Sequence, residues 1–286
     1  MNFTRKTKIM AILNMTPDSF SDGGRLRSLE AALRAAEHAL AAGADILDIG
    51  GESTRPGADT IDPQDEMDRV IPVFAAIRRE FPQATLSIDT RKATVAQAAV
   101  EAGASMINDV SGLQYDAAMA DVAARYGVKL VITHSQGTPE TMQKNPQYPQ
   151  GVVTEVAQFL TRQVQLALGS GVKREQLILD PGFGFGKTLA HNLALLRQLD
   201  ALHRLELPLL VGASRKSFLT LGNREIEVDE REALTAVAIA MAIQKGAAFV
   251  RVHDVETQLP VVRLAEALLT SETESIATHR PAGALA

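Results

Sequence analysis

The chain is 286 residues long, and no linker-like shift in composition interrupts it before the tail, so one large α/β barrel fits that length better than two ordinary domains. Hydrophobic residues make up 46% but aromatic ones only 4%, with no Trp, and the formal charge is -5, which argues against the stacking platforms and basic faces of nucleic-acid binders. A chain with Cys 0 has no disulfide and no thiolate metal site, and no run approaches the roughly 20 apolar residues of a membrane helix, so a cytoplasmic protein without nucleic-acid or membrane partners is expected.

Met1 to Lys8 is basic and leads into Ile9-Met10-Ala11-Ile12-Leu13, but that run is short and ends at Asn14 and Asp18, so it reads as a buried strand rather than a secretion signal. From there short apolar runs alternate with amphipathic helical stretches, the pattern of repeated β-α units around a parallel sheet. Strands are predicted at 8–13, 45–49, 85–88, 106–108, 129–133, 177–179, 209–212 and 249–252. Helices are predicted at 28–42, 62–80, 94–102, 116–126, 152–170, 189–202, 230–245 and 257–269. Eight such units close a (β/α)8 TIM barrel, a single domain over 1–270. The polar stretch 271–286 has no apolar period to bury and is expected to be a disordered tail.

In such a barrel the carboxyl ends of the strands form the active face. Taken in turn they offer Asn14, Asp48, Asp89, Asn108 with Asp109, His134, Asp180, Ser214-Arg215-Lys216, and Arg251 with His253. Singly, ordinary roles remain open: Asp89 as a cap for the helix beginning near Lys92, Asn108 as a turn residue. Jointly, capping does not explain amides, carboxylates and cations gathered at one rim. Arg55, Arg215, Lys216, Arg251 and His253 suggest an anionic group such as phosphate or pyrophosphate. Asp89, Asn108 and Asp180 would instead read the edge of an amide- or amino-bearing heterocycle, and Phe20 and Phe185 are either ring contacts or loop anchors.

The stretch Asp180-Pro-Gly-Phe-Gly-Phe-Gly-Lys187 follows a strand and opens into a loop. Pro181 stands where a phosphate loop needs its first glycine, and Lys187 where a dinucleotide motif needs its third. Its glycines suit close approach of a flat ring carrying hydrogen-bonding edges, with Phe183 and Phe185 beside it and Lys187 as a loop cation. His38, His191, His203 and His279 fall in helix-like or tail sequence and are expected to be solvated, and no His pair has metal-ligand spacing. The loops 15–25 and 50–61 are long and rich in Gly, Ser and Asp, as lids that exclude water are.

Asn14-Met-Thr-Pro-Asp-Ser-Phe-Ser-Asp-Gly-Gly24, Asp48-Ile-Gly-Gly-Glu-Ser-Thr-Arg-Pro-Gly57, the Asp180 loop, Ser214-Arg-Lys-Ser217 and Arg251-Val-His-Asp254 together resemble the dihydropteroate synthases, in order from about Ile9 to about Leu269. The resemblance implies a homodimeric (β/α)8 barrel that joins 6-hydroxymethyl-7,8-dihydropterin pyrophosphate to p-aminobenzoate, by pyrophosphate loss followed by amine attack, and that sulfonamides inhibit. It makes Asp89, Asn108, Asp180 and Lys216 the pterin readers, with Gly212 and Phe185 lining the ring. Asn14, Arg251 and His253 would hold the pyrophosphate, with Mg2+ near Asn14. Phe20, Thr54, Arg55, Pro56, Phe185, Ser214 and Lys216 would border p-aminobenzoate. Asp89, Asp180, Lys216, Arg251 and His253 would then be the catalytic set. Ser135 departs from the methionine that the family often carries against the pterin, so pterin affinity is expected to differ without loss of activity. The alternative enzyme is a pterin-dependent corrinoid methyltransferase on a related barrel, which has no need of the Ser-Arg-Lys-Ser and Arg-Val-His-Asp groups; a non-catalytic pterin-binding protein would tolerate erosion of the cationic rim, which is intact here.

Overall fold

Inward and outward side chains alternate along each strand, and that period of two sets the architecture. The computed structural model describes residues 7–15, 24–53, 57–138, 141–223, 225–227 and 229–269, without the side chains of 24–28 and 229. Phe20, Thr54, Arg55, Pro56, His279 and the tail 271–286 lie outside the described residues. The strands are β1 (Lys8–Asn14), β2 (Ile46–Gly50), β3 (Thr85–Asp89), β4 (Met106–Asp109), β5 (Lys129–Thr133), β6 (Leu177–Asp180), β7 (Leu210–Val211) and β8 (Phe249–Val252). They pair in parallel in the order β6-β5-β4-β3-β2-β1-β8-β7, and a bridge between Leu179 and Leu209 brings the two ends together into a nearly closed barrel.

The helices are α1 (Gly24–Ala41), α2 (Pro63–Glu80), α3 (Ala93–Glu101), α4 (Ala118–Tyr126), α5 (Val152–Gly169), α6 (Leu189–Arg197), α7 (Glu232–Gln244) and α8 (Val255–Leu269). Local chemistry starts several of them. Asp62 accepts from the Gln64 N–H at 2.8 Å while Pro63 presets the first turn of α2. Thr188 and His191 form a reciprocal capping box on α6, and the half-buried His191 ring also meets Tyr148 edge-on, so it is not simply solvated. His203 is likewise tied down, its Nε2 donating to the Lys245 carbonyl at 2.8 Å, whereas His38 is exposed as expected.

Two apolar layers flank the sheet. Met10, Ile46, Met106, Val131, Ile178 and Leu210, with Phe249 against them, fill the inside of the barrel toward the amino ends of the strands. The alternate set, among them Ile9, Leu47, Ile88, Ile107, Leu130 and Leu179, packs outward against the helices. Two elements are shorter than their sequence suggests. The strand placed at 209–212 keeps only Leu210–Val211, and the helix placed at 189–202 stops at Arg197, giving way to a 3-10 turn over Leu199–Leu205. Among the described residues, no helix is long and apolar enough to cross a membrane.

Candidate active site

The inward positions change from apolar to polar as each strand nears its carboxyl end. Met10 is followed four residues on by Asn14, and two residues on Ile46 is followed by Asp48, Met106 by Asn108, Ile178 by Asp180, Leu210 by Gly212 and Phe249 by Arg251. Strand register aligns them: Asn14 pairs with Gly50, Gly50 with Asp89, and Asp89 with Asn108, one row across β1 to β4. Thr133 pairs with Asp180 on the other side. The apolar floor thus supports a polar mouth, as in other barrels of this kind.

Arg251 ties two carboxylates together. Its Nε donates to Asp48 Oδ2 at 2.6 Å and its Nη2 to Asp89 Oδ2 at 2.5 Å, and Asn108 Nδ2 donates to the same Asp48 oxygen at 3.0 Å. Asp89 therefore does not cap α3, whose N-cap Lys92 makes no side-chain capping bond. Asp48, noticed in the sequence only as one polar strand end, is the hub of this cluster. Asp48 Oδ1, Ser87 Oγ, Asp89 Oδ1, Asn108 Oδ1 and Thr133 Oγ1 are buried without a hydrogen-bond partner. Each such group costs about 1–3 kcal/mol if nothing meets it, and their concentration on neighbouring strands marks the seat of a polar ligand.

Burial pushes Asp89 up to about 7 against the pull of Arg251, with Asp48 pushing the same way. Burial also raises Asp180, opposed by Lys216 and by the Gly182 N–H that donates to its Oδ1 at 2.7 Å. Lys216 falls to about 8 through burial, although Asp180 resists. Against its own burial, Arg251 is held above its ordinary value by Asp48 and Asp89. The mouth therefore combines a fixed cation with groups that can change charge near neutrality.

The glycine loop brings two further residues to this cluster. Gly182 has φ +70°, and a Cβ on it would stand 1.9 Å from the His134 carbonyl oxygen, so only glycine fits. Lys216 donates to the Phe183 carbonyl and holds its ammonium 3.9 Å from the centre of the Phe185 ring. Phe183 itself is fully buried and stacks on Phe218 at 5.8 Å, making it a core residue rather than a ligand contact. Lys187, expected as a loop cation, is also buried, at 3% exposure. Ser214 Oγ meets Nδ1 of the exposed His253 at 2.9 Å and accepts the His253 backbone N–H at 3.2 Å. Arg215, placed by its sequence among the rim cations, adopts φ +57° and pairs with Glu232 of α7 instead.

Ser135 lies half-buried on the wall of a 280 Å³ cavity that also touches Phe185, Val110, Ser53 and Met142. That cavity adjoins the carboxylate cluster rather than containing it, since Asp89, Asn108 and Asp180 do not line it. A second buried network sits at the base of the loop after β2. Glu52 accepts from Arg91 at 2.8 Å, from Lys92 at 3.0 Å and from the Ile61 N–H at 3.1 Å, fixing both ends of that loop. Nothing in the local sequence announces this network, because its members meet only through packing. Among the described residues no group of three or more His, Cys, Asp or Glu could hold a metal ion.

Residues 10–253 match the family model described as pterin binding enzyme. A dihydropteroate synthase of Synechocystis sp. is 46% identical over 92% of this chain and 91% of its own length. Among solved structures, the Yersinia pestis dihydropteroate synthase with a sulfonamide drug complex superposes with TM-score 0.86 at 42% identity, covering 94% of this chain and 96% of that one. The Xanthomonas albilineans dihydropteroate synthase with 4-aminobenzoic acid gives 0.86 at 39% identity, over 95% and 96%.

Proposed function

The chain belongs to the pterin-binding enzymes and is a dihydropteroate synthase, and from that premise we propose how its residues divide the work. The reaction joins 6-hydroxymethyl-7,8-dihydropterin pyrophosphate to p-aminobenzoate, giving 7,8-dihydropteroate and pyrophosphate. The observation that carries the division is the cluster of Asp48, Asp89, Asn108 and Arg251 with unpartnered acceptors, set beside Asp180 and Lys216. Unpartnered carboxylate and amide oxygens would accept the N–H groups of the pterin edge, and the Lys216 ammonium would donate to its carbonyl side. Gly212 keeps the wall low beside Asp180, and Phe185 offers a ring face, with Ser135 at the neighbouring wall.

The C–O bond to pyrophosphate breaks first, the electron pair leaving with the pyrophosphate; the amine then forms the C–N bond and loses a proton. Asp89 and Asp180 would stabilise positive charge on the pterin methylene. Arg251, oriented beforehand by Asp48 and Asp89, and the exposed His253, held by Ser214, would receive the leaving anion. No covalent nucleophile is required. Ser214 and Phe185 would border p-aminobenzoate; Phe20, Thr54, Arg55 and Pro56 keep the same assignment from their sequence alone.

Magnesium fits the donor set present. It keeps most of its waters and commonly takes only one or two protein oxygens besides substrate phosphates, and the Asn14 amide at the end of β1, in the row of Gly50 and Asp89, offers one. Such an ion would supply positive charge to the pyrophosphate. We also assign the enzyme to the cytoplasm, which a chain with Cys 0 suits, and to a homodimer. In support of the latter, Val237 of α7 is 65% exposed and Leu264 and Leu268 of α8 are 63% and 79% exposed.

The test is direct. Purified protein with magnesium, the pterin pyrophosphate and p-aminobenzoate should form dihydropteroate, followed by chromatography; absence of product would sink the proposal. A sulfonamide added to the same assay should raise the apparent KM for p-aminobenzoate without changing kcat.

A further inference from the structure

Lys187 takes no part in the roles assigned above, yet it is one of the most constrained groups in the molecule. Its Nζ donates to the carbonyl oxygens of Gly182 at 2.8 Å and Phe185 at 3.1 Å, and meets His134 Nδ1 at 2.8 Å. Its amino nitrogen thus has three polar partners, two carbonyl oxygens and one ring nitrogen. Burial first, and Lys187 beside it, drive His134 down to about 2, and burial also holds Lys187 well below the usual lysine range.

Burying a lysine is costly, and an apolar side chain of the same length would fill the space more cheaply. What the amino group adds is control of the loop. The other polar groups of that loop are held from outside: Gly184 N–H donates to Asn192 Oδ1 at 2.8 Å, and the Gly186 carbonyl accepts from the Tyr148 hydroxyl at 2.8 Å. Lys187 holds it from beneath, pinning the carbonyls on either side of Gly184. The upper face of the same loop touches Lys216 in three ways: through the Phe183 carbonyl, through the Phe185 ring, and through Gly184, where a Cβ would stand 3.0 Å from Lys216 Cδ. A lysine has four carbons of free rotation and no preferred direction of its own. The loop supplies that direction.

We propose that Lys187, seated on His134, is a positioning residue that aims Lys216 at the pterin through the glycine loop. The inference rests on Lys216 reading the pterin.

A double-mutant cycle on pterin affinity tests it, using 6-hydroxymethylpterin as the fluorescent probe with the full-length protein. Lys187→Met should weaken binding on the order of tenfold in the parent protein and by less than about twofold in the Lys216→Met background, because two changes acting through one group are not additive. Tyr148→Phe removes a single bond to the same loop and should show a smaller loss with the same dependence on Lys216, which keeps the cycle readable if Lys187→Met does not fold. Equal losses in both backgrounds, or no loss from Lys187→Met, would overturn the proposal. If Lys216→Met itself leaves pterin affinity unchanged, the assignment of Lys216 fails, and the inference with it. That result differs from an intact Lys216 effect without coupling.

Discussion

Asp48 and Asp89 share one guanidinium, so removing one of them does not strand Arg251. Asp89→Ala should therefore cost little thermal stability while weakening pterin binding by roughly 10–100-fold, the loss of a charged hydrogen-bonding group of about 1.5–3 kcal/mol. Calorimetric titration beside a thermal melt checks both halves, and unchanged affinity would leave Asp89 only its ion pair. Proton linkage separates Asp89 from Lys216. Asp89 has a folded pKa of about 7, above its unfolded value, so its contribution to stability is present below about pH 4 and is lost as pH rises through about 7. Lys216, lowered to about 8, opposes folding while charged, and that opposition fades as pH climbs from about 8 toward about 10. Catalysis should run the other way. The kcat/KM for the pterin substrate should fall as pH passes about 8 and the ammonium is lost, and Lys216→Arg should move that limb to markedly higher pH.

At the scale of elements, the glycine loop permits the least change. Gly182→Ala would drive a Cβ into the His134 backbone and impose a positive φ on alanine, so at least ~2 kcal/mol of destabilisation is expected together with loss of pterin binding. A melting curve and the same titration measure it. The alternation of short apolar runs with amphipathic helices was enough to read the eight units, and the residue closing each strand was enough to name polar groups that meet at the mouth, Asp89, Asn108 and Arg251 among them, because both depend on local period and barrel geometry. What stayed hidden depends on chain reversal. Arg215 adopts a left-handed backbone and pairs with Glu232 of α7, and Phe183 enters the core though it sits two residues from Phe185. Lys187 lies under the loop because three glycines fold the chain back over it. The Glu52 network joins residues brought together only by the packing of α2 and α3 against the sheet. No spacing along the chain encodes such contacts.

At the scale of the whole molecule, α7 is apolar nearly all round in Glu-Ala-Leu-Thr-Ala-Val-Ala-Ile-Ala-Met-Ala-Ile-Gln, the composition of a helix covered on more than one side. The sheet covers one side, and a second copy would cover Val237 together with Leu264 and Leu268 of the neighbouring α8. Val237→Glu combined with Leu268→Glu should convert a dimer into 30.7 kDa monomers in sedimentation experiments, and a parent protein that already sediments as a monomer would exclude the assembly. The barrel also has an uneven rim. β1 and β2 pair over five residues, from Met10 with Ile46 to Asn14 with Gly50, whereas β7 is two residues long and meets β6 through one bridge, between Leu179 and Leu209. Asp180 and Gly212 stand immediately above that thin joint. Amide hydrogens of Leu210 and Val211 should therefore exchange with deuterium faster than those of Leu47 and Ile49, and slow down when pterin is bound. The substrate would then act as a keystone, closing an arch that the chain alone leaves loosely joined.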